Sequence, residues 1–127
     1  MDERVITLVE VVAVPPILSP IFGRVRGNTS SSTAVRVLMG QVKPDEWWIL
    51  DFASLQNASG ESLTLQWVIV RGAEVILVSE DITVADGDAV RTNVLPQLLA
   101  GERFGAQVVG TAASGPVILV VSAHSIP

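Results

Sequence analysis

Between Leu63 and Ile69 the side chains alternate cleanly: Leu63, Leu65, Trp67 and Ile69 fall on one side of an extended chain, with Thr64, Gln66 and Val68 on the other. A repeat of two is that of a strand with one buried face. A helix would instead bring apolar residues back every three to four positions. The same period governs most of the chain, and β-branched residues fill its apolar runs, so strands are expected throughout.

Turn and breaker residues divide these strands. Arg4 to Val14 is rich in Val and Ile and ends at Pro15 and Pro16, which cannot donate to a ladder. Ile17 to Thr33 holds Pro20, Gly23, Gly27 and a polar tract from Asn28 to Thr33, and reads as an extended arm. Ala34 to Met39 is a short strand closed by Gly40, before a turn at Lys43, Pro44 and Asp45. In Trp47 to Asn57 both faces look covered, Trp48, Leu50 and Phe52 on one side and Trp47, Ile49, Ala53 and Leu55 on the other, with Asp51 among them.

Asn57 to Glu61 carries turn chemistry and predicts a hairpin into Leu63 to Val70. Arg71 to Glu74 turns the chain into Val75 to Val78, and Ala85 to Asp88 marks another turn before a strand that Pro96 ends. Leu98 to Glu102 reads equally as one helical turn or a tight loop. Phe104 to Val109 and Pro116 to Ala123 are expected to form a final hairpin. About eight short strands at this spacing predict an all-β fold, an antiparallel two-sheet β-sandwich that is jelly-roll-like, with an extended N-terminal arm. The predicted division is a strand and arm over 1–33 and the sandwich over 34–127.

Composition narrows the function. Thirteen acidic and eight basic residues leave a net charge of −5 with no basic cluster, which argues against nucleic acid as a partner. The apolar fraction is 49% and the mean hydropathy +0.51, yet the longest apolar stretch, Val11 to Leu18, is short and broken by two prolines, so no membrane partner is expected. Asp2, Glu3 and Glu10 are foreign to a signal peptide, and the chain reads as soluble and unexported. High apolarity without a membrane segment fits a rich core together with surface covered by partner subunits.

The residues offer little to catalysis, and the chain is read as no enzyme. Cysteine is absent, which removes thiolate nucleophiles and disulfides. His124, fourth residue from the end, is a poor member of a triad and is expected as a solvated residue or subunit contact. One histidine makes a zinc site improbable. The turn Asp86-Gly87-Asp88, with Glu80 and Asp81 nearby, offers oxygen ligands to Ca²⁺ but lacks the ligand spacing of a calcium loop, so a solvated turn is expected. Asp51, on a strand otherwise apolar, is expected at a sheet edge or interface, paired with an arginine such as Arg36 or Arg71. Trp48 and Trp67 are expected in the core and Trp47 outside it. No catalytic, cofactor or metal residue is assigned.

From Trp47 onward the order is a Trp-rich strand, the stretch QNASGESLTLQWVIVRGAEVILVSEDITVADGDAV, the segment LPQLLAGERFGAQV with its Gly101-Glu102 turn, and a last apolar strand. This resembles the small β-sandwich virion proteins of tailed bacteriophages, the head-decoration and tail-associated domains. The resemblance implies a non-enzymatic structural protein of the virion, assembled in the host cytoplasm, that stabilises a capsid through contacts with the major capsid protein or another virion protein. The alternative is a carbohydrate- or peptide-binding sandwich module of a tail or fibre. Self-association, with a trimer favoured, is expected from the apolar content. The expected interface comprises Ile17, Leu18, Ile21 and Phe22, Arg24 and Arg26 beside them, and Trp47.

Overall fold

Period-two alternation becomes two stacked antiparallel sheets in the computed structural model, which describes residues 20–30, 34–92, 96–110 and 115–126. Ten strands lie among them: β1 (Pro20–Asn28), β2 (Val35–Leu38), β3 (Trp47–Asn57), β4 (Leu63–Arg71), β5 (Glu74–Leu77), β6 (Ile82–Val84), β7 (Ala89–Arg91), β8 (Gln97–Leu98), β9 (Glu102–Gly110) and β10 (Pro116–Ile126). The first sheet runs β1, β10, β3, with β7 and β8 sharing the far edge of β3. The second runs β2, β9, β4, with β5 and β6 sharing the far edge of β4. Counting β5 with β6 and β7 with β8 as two interrupted strands leaves eight strands that pass between the sheets in jelly-roll order. The all-β sandwich expected from the sequence is therefore the observed fold.

Alternation decides what fills the space between the sheets. Val117, Leu119, Val121 and Ala123 of β10 are buried, and they face Leu65, Trp67, Phe104 and Val108 of the second sheet in one core cluster. Trp67 stacks on Phe104 with centroids 5.6 Å apart and planes 14° from parallel. The buried Trp67 indole N–H has no acceptor among the described residues, so packing alone holds the ring. Trp48 is also buried and Trp47 exposed, as expected.

In β3 the sequence alternation fails because of a bulge. Ser122 of β10 lies opposite Phe52 and Ala123 opposite Leu50, leaving Asp51 out of the backbone register with β10. The extra residue reverses which side faces inward. Trp48 and Leu50 before it and Ala53, Leu55 and Asn57 after it are all buried, and Phe52 turns outward. Part of each face read from the sequence thus joins one continuous inner face, Trp48 and Leu50 from one and Ala53 and Leu55 from the other, while Trp47, Ile49 and Phe52 lie outside it.

Three further expectations change. The extended arm holds a strand: Pro20–Asn28 pairs over nine residues with β10, so the sandwich begins at least as early as Pro20. Gly27 serves this role, because a Cβ there would lie 2.7 Å from Val37 Cγ2 of the opposite sheet. Neither the Asn57–Glu61 turn nor the connection before Pro116 closes a hairpin, because β3 and β4, like β9 and β10, belong to different sheets. Arg71–Glu74 does close one. Gly72 at φ +60 occupies the first central position of its two-residue turn, as a type II′ turn requires. Leu99 to Glu102 is a tight turn and no helix, with Gly101 at φ +87 and the Glu102 N–H donating to the Leu99 carbonyl at 3.0 Å. The predicted strand Arg4 to Val14 lies outside the described residues.

Two of the crossings between sheets are fixed by polar groups. Asn57, fully buried, donates from Nδ2 to the carbonyls of Glu61 (2.7 Å) and Val84 (2.9 Å), and its Oδ1 accepts from the N–H and hydroxyl of Ser59. Its backbone N–H donates to Asp88, and its carbonyl accepts from Gly87. At the opposite end the buried Glu102 carboxylate accepts the Leu99 N–H at 2.8 Å and pairs with the half-exposed Arg71 guanidinium, whose pKa this contact raises further above its ordinary value. Replacing Asn57 with Ala removes a partner from two carbonyls, a backbone N–H and a hydroxyl. It is expected to lower unfolding free energy by about 2–4 kcal/mol in urea titration, whereas the exposed neighbour Gln56→Ala stays within about 0.5 kcal/mol.

Candidate functional site

Because β10 is apolar on both faces, burying one of them leaves the other to be explained. Outward from the first sheet point Ile118, Val120, Ser122 and His124 of β10, Phe22, Arg24 and Arg26 of β1, and Trp47, Ile49, Phe52 and Ser54 of β3. Register sets them in rows. Arg26, Ile118 and Gln56 lie side by side, then Arg24, Val120, Ser54 and Arg91, then Phe22, Ser122 and Phe52. Phe22 is 70% exposed and Trp47 51%, so this face carries two exposed aromatic side chains; Leu77 and Val109 are comparably exposed on the second sheet but stand apart from it.

Two of its charged groups are already engaged. The Arg91 guanidinium lies 4.7 Å from the centroid of Phe52. Asp51, turned outward by the bulge, meets His124 Nδ1 at 2.9 Å through Oδ1 and 3.1 Å through Oδ2. Among the described residues the partner of Asp51 is therefore this histidine and no arginine: Arg71 is held by Glu102, and Arg36 hydrogen-bonds Gln107 at 3.1 Å. His124 lies within a long ordered strand, where β1 and β3 fix its backbone on both sides. Arg24 and Arg26 have no carboxylate partner among the described residues, and with Ile118 they line a shallow depression of about 310 Å³.

Of the expected interface residues, the fold brings Phe22, Arg24, Arg26 and Trp47 onto this one face. Ile21 points the other way and packs against the core, so it belongs to the domain's interior. Ile17 and Leu18 lie outside the described residues. Sequence reading missed Ile118, Val120 and Phe52 as surface, although the continuous apolar run of β10 carried the signal. Among the described residues no three His, Asp or Glu side chains gather as metal ligands. Asp86 spends one carboxylate oxygen on the Gly60 N–H at 2.9 Å.

No known family's sequence profile matches this chain, and no curated protein matches it. Among solved structures it is similar to a protein of Bacillus endospore appendages, a family of disulfide-linked pili, at 15% identity and a TM-score of 0.50. The match covers 94% of this chain and all of the other. At that identity the similarity supports the sandwich fold alone.

The geometry separates two neighbouring residues by role. Ile21→Ser is expected to cost about 1–3 kcal/mol in denaturant unfolding because it enters the core, while Phe22→Ser leaves stability within about 0.5 kcal/mol. His124→Ala removes a partly exposed pair and is expected to cost less than about 1 kcal/mol by the same measurement.

Proposed function

We propose that this chain is a non-enzymatic structural subunit that works by packing the β1–β10–β3 face against other protein subunits, copies of itself included. The exposure of Phe22 and Trp47 on a face already lined by Ile118, Val120 and Phe52 carries the proposal. A solitary domain gains nothing from leaving such a surface in water. In its finer form the subunit is a virion protein of decoration or cement type that binds the major capsid protein or another virion component. The resemblance of the region after Trp47 and the jelly-roll order of the strands support that form. The pilus protein of similar fold supports self-association more generally. Those pili are disulfide-linked, whereas this sequence has no cysteine, so disulfides do not link its copies.

A second reading rests on the same aromatics. Trp47 and Phe22, with Arg24 and Arg26 following Phe22 along β1, offer aromatic faces on which a sugar or an extended peptide stacks, as in a tail or fibre module. Light scattering distinguishes the readings. The structural subunit is expected to run at about 40 kDa or more at micromolar concentration, against 13.4 kDa for one chain, with association weakened by combined Phe22→Ser and Trp47→Ser. A folded monomer whose glycan binding is lost with Trp47 replaces the first reading with the second.

A further inference from the structure

Building on the self-association proposed above, we infer that the β1–β10–β3 face docks the acidic end of a second copy, in a head-to-side contact that joins unlike surfaces. Charge decides this. Across the exposed face Arg24 and Arg26 have no carboxylate partner among the described residues, Arg91 adds a third guanidinium, and the one carboxylate present, Asp51, is held by His124. Packing two such faces together about a two-fold axis would set arginines against arginines over apolar ground. Juxtaposed like charges oppose that contact.

An opposite surface exists elsewhere on the same chain. The corner anchored by Asn57 brings the turns 58–62 and 85–88 together at one end of the sandwich, where Glu61, Asp86 and Asp88 are all exposed. Asp86 fixes the two turns to each other through Gly60, so these carboxylates are displayed on an ordered surface. Docked against Arg24 and Arg26, they supply the acidic partners that those guanidinia lack, over an apolar floor at Ile118 and Val120. A contact between unlike surfaces repeats from copy to copy. It ends in a ring when the rotation closes and in a filament when it does not.

Charge exchange tests the contact. In one variant Arg24 and Arg26 become Glu; in the other Glu61 and Asp88 become Lys, and Asp86 is kept for its role at Gly60. Fold is checked by circular dichroism and association by light scattering across a concentration series. Each variant alone is expected to need at least about tenfold more protein than wild type to associate, and an equimolar mixture to recover most of that loss because each supplies what the other lacks. Association of E61K/D88K at wild-type concentrations, or a mixture of folded variants that recovers nothing, overturns the contact while leaving self-association standing. A monomeric wild type overturns both. If a charge reversal fails to fold, Arg24→Gln with Arg26→Gln and Asp88→Asn give the same comparison, with weakened association expected from each and wild-type association counting against the contact.

Discussion

A single buried amide holds the crossing on which this jelly roll depends. Strands that alternate between sheets cannot be registered by hairpin turns, so the chain must be told where to leave one layer and enter the next. Asn57 does this with both ends of its side chain and both backbone groups, joining the exit of β3, the entry to β4, the end of β6 and the turn into β7. Every one of its polar atoms is matched, which is what makes a fully buried amide tolerable. Gly115, whose N–H donates to the Thr29 hydroxyl and whose carbonyl accepts the Thr29 N–H, ties β1 to the start of β10 at the same end. A Cβ there would meet Ser59 at about 2.5 Å, so the corner admits no larger residue.

That dependence explains what was legible in the sequence. Strand existence and the buried faces of β4 and β10 follow from side-chain period, which the backbone imposes on any strand. Pairing does not, because an apolar strand presents the same alternation to a hairpin neighbour and to a partner across the core. Hence the turns at Asn57 and before Pro116 read as hairpins, while Arg71 to Glu74, read only as a turn, is a true one. The bulge at Asp51 was hidden for a related reason. One inserted residue exchanges the faces of everything after it, and β3 with its bulge mimics a strand apolar on both sides. Pro20–Asn28 read as an arm because Gly23 and Gly27 weaken a strand in isolation, although Gly27 is the position where the opposite sheet comes too close for a side chain.

The candidate face was half legible. Phe22, Arg24, Arg26 and Trp47 could be singled out one by one, but they are distant in sequence, and only the pairing of β10 with both β1 and β3 gathers them. Ile21 was placed with them because an arm has no inside; once the segment is a strand, neighbours in sequence must part to opposite faces.

The mixture of apolar and guanidinium groups on that face is itself informative. β1 is an edge strand of the first sheet among the described residues, and a long apolar edge invites indiscriminate strand addition and sheet stacking. Arg24 and Arg26 on alternate outward positions make stacking onto an identical face unfavourable while leaving Phe22 and the β10 side chains open to a partner that brings carboxylates. Specificity then resides in the repulsive element as much as in the attractive one. With no cysteine to lock the result, a contact of this kind is governed by apolar burial for its strength and by charge for its choice of partner, so raised salt acts first on the rate and selectivity of encounter.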